Sequence, residues 1–311
     1  MRQNLPHETR LLLACLAMAW LAWAAPAPAA GPVLEVAAGI PPVGYLLGRV
    51  GGPLARVVVL AGQGQSPHTF EPTPRQLAGL AGSRAYFSAG LPFEERLLAK
   101  ARAANPGLQA VNTLEGITLM PGDEHHHEGP DHDAKADKDH GHEEGELDPH
   151  VWMSPRLAQV MTANIARALA ALDPAHAADY ERNRAALEAD LRALDQRLGQ
   201  ALAPLKGRSF LVFHPAFGYL GRDYGLRQVA VETGGKEPGA RRLAGLIDQA
   251  KAQGAKVIFV QPQFPGKSAQ QVAQAIGGVV TPLDPLAADY LANLELVARR
   301  LAEGLSQAEK R

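Results

Sequence analysis

Three histidines and one aspartate stand where an apolar strand pattern gives way to a loop. His68 follows a strand that ends at Leu60, and His214 directly follows the apolar string F-L-V-F. His150 stands in D-P-H-V-W-M-S-P, and Asp284 occupies a similar place in T-P-L-D-P-L. Imidazole and carboxylate ligands suit Zn²⁺, and open α/β sheets bind ligands at the carboxyl ends of their strands. The pattern indicates a shared metal site, although each histidine taken alone is more often a surface or packing residue, and the spacing matches no short zinc motif.

A second group of histidines lies in the segment 123–147, which holds almost nothing that could enter a core. Such a composition predicts a disordered, solvated loop. The alternation of histidine with aspartate and glutamate favours many weak, exchangeable metal positions over the alternative, a solubilising acidic linker. These secondary low-affinity candidates are His125, His126, His127, His132, His140 and His142.

The N-terminus has the order of a secretory signal. Arg2 and Arg10 precede an apolar run over 11–25, and small residues follow. This order predicts a signal peptide over 1–29, cleaved after Ala29; the alternatives are a retained anchor and lipidation at Cys15. Because Cys15 is the only cysteine, the mature chain has no thiol, and its metal chemistry must use imidazole and carboxylate.

Length and charge narrow the class of protein. A chain of 311 residues favours two domains. The formal net charge of -1 argues against nucleic acid as a partner, because phosphate binding normally needs a basic patch. After the N-terminus, no stretch is apolar for long enough to cross a bilayer.

Strand patterns alternate with helix patterns on both sides of one long helix. This alternation predicts α/β lobes with mainly parallel sheets flanked by helices. We assign an N-terminal lobe to 30–173, a linking helix to 174–203 and a C-terminal lobe to 204–311. The linking helix spans roughly 40 Å at about 1.5 Å per residue, which makes it a rigid strut. Its apolar positions fall on one face; they are Tyr180, Leu187, Leu191, Leu194, Leu198 and Leu202.

Several strings together are similar to one known family. They are G-Q-S-P-H-T-F-E-P-T-P, D-P-H-V-W-M-S-P, F-H-P-A-F-G-Y, V-I-F-V-Q-P-Q-F and L-D-P-L, in that order. In this respect the chain resembles the ZnuA-type zinc-binding solute-binding proteins of bacterial ABC importers, over essentially the whole mature chain. The resemblance also includes the long helix and the histidine-rich loop.

The resemblance implies a ligand set. It places the family's first, second and third ligands on His68, His150 and His214, and matches Asp284 to an aspartate that approaches from the second lobe. The manganese-binding branch typically has glutamate at the third position, so His214 favours zinc.

Three positions depart from the family pattern. Pro67 stands where some zinc members have glutamate, and Pro215 replaces a common acid. Asp284 or a water must therefore complete the coordination. Gln261 replaces a common glutamate, and we expect it to act behind the metal ligands. Candidates for the wall or the outer shell are Glu71, Trp152 and Tyr219.

Taken together, these features predict an exported periplasmic protein that captures Zn²⁺ between two lobes and delivers it to an importer's permease and ATPase. We expect a monomer with no catalytic residues. A manganese or iron carrier of the same fold, a zinc hydrolase and a zinc buffer without a transporter are the alternatives. Binding needs neutral imidazoles, so the affinity should fall as the pH drops through roughly 6.5.

Overall fold

The computed structural model describes residues 33–62, 64–122, 147–232, 239–264 and 266–307. The predicted signal peptide over 1–29 and the six histidines of the loop lie outside these ranges. All of the lobe structure described below lies between Leu34 and Gln307.

The first sheet is fully parallel, with the strand order β2-β1-β3-β4. Its strands are β1 (Leu34–Ala38), β2 (Ala55–Val59), β3 (Ala85–Ser88) and β4 (Gln109–Asn112). The intervening helices are α1 (Pro41–Gly51), α2 (Pro74–Ala81) and α3 (Pro92–Ala104). Each of these helices has proline in its first turn, where the missing N–H leaves no hydrogen bond unmade.

The second sheet is also parallel and repeats the same connectivity, with the order β6-β5-β7-β8. Its strands are β5 (Ser209–Val212), β6 (Arg227–Ala230), β7 (Val257–Val260) and β8 (Val279–Pro282). Its helices are α6 (Gly218–Tyr224), α7 (Ala240–Ala252), α8 (Lys267–Ala275) and the C-terminal α9 (Tyr290–Gln307). The prediction of two parallel α/β lobes is confirmed.

The first lobe ends with α4 (Pro155–Leu172), and one long helix, α5 (Ala177–Leu202), connects it to the second lobe. The predicted apolar stripe of the long helix is confirmed, because the buried residues of α5 are the six that the periodicity selects. This stripe packs on α1 and α4 of the first lobe and on α9 of the second. The helix therefore shares its buried face with both lobes.

The main hydrophobic core runs without interruption through both lobes. It includes Val36 in the first sheet, Leu191 in α5 and Phe210 in the second sheet. A separate cluster, which includes Leu211 and Ile258, covers the other face of the second sheet. The alternation between Phe210 and Leu211 is the period-two pattern of a strand that is buried on both faces.

Some elements differ from the sequence-based expectation. The sequence patterns leave the residues between Ala89 and the histidine-rich loop unassigned, and the structure has α3 and β4 there. The start of α3 is marked by a local sequence feature. The Glu94 side chain accepts a hydrogen bond from the N–H of Leu91 at 2.8 Å, which caps the N-terminus of the helix. The apolar pattern of the second lobe predicts Q-V-A-V-E, which ends at Glu232, as its second strand, but β6 ends at Ala230.

Within the described residues, no helix is long and apolar enough to span a bilayer.

Candidate metal centre

The structure brings His68, His150 and His214 together. The Nε2 atom of His214 lies 3.1 Å from Nε2 of His68 and 3.2 Å from Nε2 of His150. One ligand atom from each ring lies within 4.8 Å of the other two. Nitrogens on a tetrahedral Zn²⁺ with Zn–N bonds of about 2.0–2.1 Å are roughly 3.4 Å apart. The observed separations are those of a nearly formed zinc site.

Each histidine comes from a different loop at the carboxyl end of a sheet. His68 lies in the turn-rich segment after β2, which is tied back to β1 through Leu60 N–H and Ala38 carbonyl at 3.0 Å. His150 precedes a short 3₁₀ turn over Val151–Met153, and His214 lies just beyond β5. The parallel strands of both lobes therefore deliver their ligands to one cleft, as the strand-end rule predicts.

A buried aspartate orients His150. Asp148 Oδ1 lies 2.7 Å from His150 Nδ1 and also accepts the His150 backbone N–H at 2.9 Å. A carboxylate can only accept here, so Nδ1 carries the proton and Nε2 keeps its lone pair for a metal. Both side chains are only 8% exposed, which protects this hydrogen bond from water.

A second buried carboxylate orients His214 in the same way. Glu232 Oε1 lies 2.6 Å from His214 Nδ1, and the Glu232 side chain is 1% exposed. Both rings donate hydrogen bonds from Nδ1–H to carboxylates, so each Nε2 carries a lone pair. The Nε2 lone pairs of His150 and His214 face each other across 3.2 Å. A cation between them removes that repulsion and balances the two buried negative charges.

The pocket keeps two of the imidazoles neutral. Burial, reinforced by the neighbouring rings of His214 and His150, lowers the pKa of His68 to about 3. Burial also lowers the pKa of His214, against the opposing effect of Glu232. Protons therefore compete with a metal at these two nitrogens only below the pH range of a free imidazole. The affinity should accordingly fall less steeply through pH 6.5 than the residue types alone predicted.

The wall of the site is apolar and tight. Trp152 packs against His150, with ring centroids 5.2 Å apart, and Phe264 stacks on His214 at 4.7 Å. The cavity that these rings line has a volume of about 10 Å³. That is about the space for one water molecule.

Groups of the second lobe hold the His150 segment in place. The Tyr219 hydroxyl accepts the N–H of Met120 at 2.9 Å and donates to the carbonyl of Asp148 at 2.8 Å. The Trp152 indole N–H donates to the carbonyl of Pro285 at 2.9 Å. These bonds fix His150 relative to His214 across the lobes.

The backbone of His214 is held by Gln261. Its Oε1 accepts the His214 N–H at 2.9 Å, and its Nε2 donates to the His214 carbonyl at 3.2 Å. Gln261 is completely buried. It thus acts behind the ligand and not on the metal, in keeping with the sequence-based expectation.

Two predicted residues are not brought into this cluster. Asp284 is not among the groups that converge in the described part of the chain; its Oδ1 accepts hydrogen bonds from Gln263 at 2.7 Å and from the Leu286 N–H at 2.9 Å. Glu71 is exposed and does not line the pocket. Asp284 as a ligand therefore stays a prediction.

The sequence-based reasoning missed two functional residues, Asp148 and Glu232. A signal for both was present. Asp148 lies two positions before His150 in D-P-H, and Glu232 follows the end of β6, where the same strand-end rule applies.

The fold and the site have known relatives. The family model described as "ZnuA: Zinc-uptake complex component A periplasmic" matches residues 36–304. The chain is 32% identical over 228 residues to the high-affinity zinc uptake system protein ZnuA of Bacillus subtilis, covering 71% of this chain and 68% of that protein. It is 31% identical to the zinc-binding lipoprotein AdcA of Streptococcus pneumoniae over 284 residues, which are 89% of this chain. This chain spans only 54% of that relative's length.

A crystal structure of a ZnuA deletion mutant with zinc bound is similar in fold, with a TM-score of 0.78 and 40% sequence identity. The match covers 88% of this chain and 98% of that one. The strand order of the two sheets and the three converging histidines agree with these matches. The chain belongs to the ZnuA family, the zinc-binding periplasmic components of zinc-uptake complexes.

Proposed function

We propose that this protein captures one Zn²⁺ with His68, His150 and His214 and delivers it to the permease of an ABC importer, whose ATPase subunit drives uptake. The observation that supports this most directly is the convergence of three Nε2 atoms at 3.1 and 3.2 Å. Two of these nitrogens are held in the metal-binding tautomer by buried carboxylates. Zn²⁺ is the transported cargo and not a catalytic cofactor.

The chemistry of the ligand set favours zinc over manganese or iron. Three imidazole nitrogens form the cluster, and no carboxylate is part of it among the described residues. Nitrogen donors suit Zn²⁺, whereas Mn²⁺ prefers carboxylate, carbonyl and water oxygens. The carboxylates of Asp148 and Glu232 instead bind the Nδ1 atoms of their histidines. They offset the charge of the ion from there, and because they do not coordinate it, they do not favour a metal that prefers oxygen ligands.

A zinc hydrolase is the alternative from another class, and the cavity argues against it. An open coordination position on a three-histidine site can activate water. However, the space beside these ligands is about 10 Å³, whereas organic substrates occupy clefts of roughly 300–1,000 Å³. The site has the size of an ion, which supports capture and release.

The pattern of burial favours small lobe movements on loading. The main core continues from the first sheet through α5 into the second sheet, and such a close-packed interior resists wide hinge opening. His68 is the most exposed of the three ligands, and in the described part of the chain its ring has no hydrogen bond to a carboxylate. We therefore place the entry and release of zinc on the side of the loop that carries His68.

The remaining assignments follow from the sequence. We propose export through a cleaved signal peptide over 1–29, a periplasmic location, lobes over 30–173 and 204–311 joined by a helix over 174–203, and a monomeric state. We also propose that the histidine-rich loop binds further zinc with lower affinity.

Replacement of His214 with alanine tests the principal site. We expect His214→Ala to weaken zinc binding more than 100-fold, because it removes the ligand whose Nε2 lies 3.1 and 3.2 Å from the other two and takes the imidazole partner from buried Glu232. His176→Ala is the matched control: His176 lies at the start of the linking helix, where its Nδ1 lies 2.7 Å from Asp173 Oδ2, so zinc binding should stay as in the unaltered protein. Calorimetry measures both variants.

A deletion of residues 124–146 completes this test. We expect the deleted protein to keep its tightest zinc site and to lose only weaker binding. Equal losses of the tightest site in His214→Ala and in the deletion would reject the assignment of the site to the three histidines.

A further inference from the structure

One polar side chain in the pocket is not accounted for by the three-histidine site. Gln263 lines the cavity together with His68, His150 and His214. Its Nε2 donates a hydrogen bond to Asp284 Oδ1 at 2.7 Å. Its Oε1 is buried and has no hydrogen-bond partner among the described residues. A buried acceptor without a donor is costly and calls for an explanation.

The orientation of this amide follows from its neighbour. The Asp284 carboxylate accepts from Gln263 and from the Leu286 N–H, and a carboxylate can only accept while it is ionised. If the amide were turned over, two oxygens would face each other at hydrogen-bond distance. Asp284 therefore holds Nε2 towards itself and turns Oε1 to the other side.

The occupied site offers a donor for Oε1, because Gln263 lines the same cavity as the three histidines. Three histidines leave the fourth position of a tetrahedral Zn²⁺ open. A water in that position is polarised by the ion and becomes a strong hydrogen-bond donor. The cavity that Gln263 shares with the three histidines has room for about one water.

We propose that Gln263 is a positioning residue that accepts a hydrogen bond from a water bound at the fourth position of the captured Zn²⁺. Asp284 acts through Gln263, whose amide it orients, and is not itself a ligand. This proposal rests on the proposed function, since it requires zinc at the three histidines. The coordination is then completed by a labile water, which is readily lost when the ion is released.

The test compares three variants of the full chain in competition with a chelating indicator for the first equivalent of Zn²⁺. Gln263→Met removes the acceptor at similar length and should weaken binding about tenfold, the lower end of the range for outer-shell partners of a metal. Asp284→Asn should cost no more than Gln263→Met, because the effect of Asp284 passes through the same water. Gln274→Met, on the exposed face of α8, is the matched control and should bind zinc as the unaltered protein does.

A spectroscopic measurement separates the water from a purely structural role. With Co²⁺ in place of Zn²⁺, ionisation of a bound water changes the visible spectrum as the pH rises. An acceptor favours the water over hydroxide, so Gln263→Met should lower the pH midpoint of this change. Thermal unfolding of the metal-free variants checks that they are folded.

Three results would overturn the proposal. The first is zinc affinity in Gln263→Met equal to that of the Gln274→Met control. The second is a loss in Asp284→Asn as large as in His214→Ala, which would make Asp284 a direct ligand. The third is a Co²⁺ spectrum that does not change with pH in the unaltered protein, which would place a protein oxygen on the metal. If the unaltered protein and His214→Ala bind zinc equally, the proposed function itself fails.

Discussion

The carboxylate behind His214 offers a sharp test of how this site is organised. Glu232 is 1% exposed, and its Oε1 lies 2.6 Å from His214 Nδ1. Replacing it with leucine removes the acceptor, so Nδ1–H loses its partner and the ring can adopt the tautomer that protonates Nε2. Replacing it with glutamine keeps an acceptor oxygen but removes the charge.

The expected magnitudes follow from this hydrogen bond. A hydrogen bond to a charged group contributes about 1.5–3 kcal/mol, and each 1.4 kcal/mol is about a tenfold change in affinity. Glu232→Leu should therefore weaken zinc binding by up to about 100-fold, and Glu232→Gln by about tenfold. Both estimates agree with the roughly 10–100-fold losses seen when outer-shell partners of metals are removed.

Competition with a chelating indicator for the first zinc equivalent measures these losses. The control is Glu303→Gln, which removes the same charge from an exposed position of α9 and should leave the affinity as it is. Thermal unfolding of each metal-free variant shows whether the fold is retained. A folded Glu232→Leu variant that binds zinc like the control would refute the idea that this carboxylate prepares His214 for the metal.

Further predictions concern pH, stability and the loop. The pKa of His68 is lowered to about 3 and that of His214 is also lowered. As the pH falls, these two histidines therefore bind protons in the unfolded chain before they do so in the folded protein. The free energy of unfolding of the metal-free protein should therefore be highest above about pH 6.5 and fall as the pH drops towards 4. Urea titrations at several pH values measure this change. A stability that rises on acidification would contradict the lowered pKa values. Tyr219→Phe removes the hydroxyl between Met120 and Asp148, and we expect it to lower the free energy of unfolding by about 2 kcal/mol. An unchanged urea midpoint would contradict this prediction. Excess zinc should reveal additional weak sites that vanish when 124–146 is deleted, whereas a single bound ion in the intact protein would argue against the loop as a binding segment. Mn²⁺ in large excess should fail to displace Zn²⁺, because three nitrogen ligands favour zinc; ready displacement would point to a manganese carrier.

Much of the fold is readable in the sequence because its signals are local. The six apolar positions of α5 follow from helical periodicity and are the buried ones. The apolar runs that became β5 and β7 are strands buried in a parallel sheet. By contrast, β4 has the sequence Q-A-V-N and no fully buried residue, so it is a strand only because β3 lies beside it. Pairing of this kind leaves no pattern in the strand's own residues.

The same division holds for the metal site. The residue types and their places at strand ends identified His68, His150 and His214, since parallel strands bring their carboxyl ends to a common edge. Reasoning from the sequence treated Asp284 as a ligand candidate beside the three histidines and assigned no role to Glu232. Only the pairing of strands within the second lobe placed Glu232 against His214 and turned Asp284 towards Gln263. A ligand type is a property of one residue, whereas tautomer, charge balance and an open coordination position depend on distances between residues far apart in the chain, which only the tertiary structure sets.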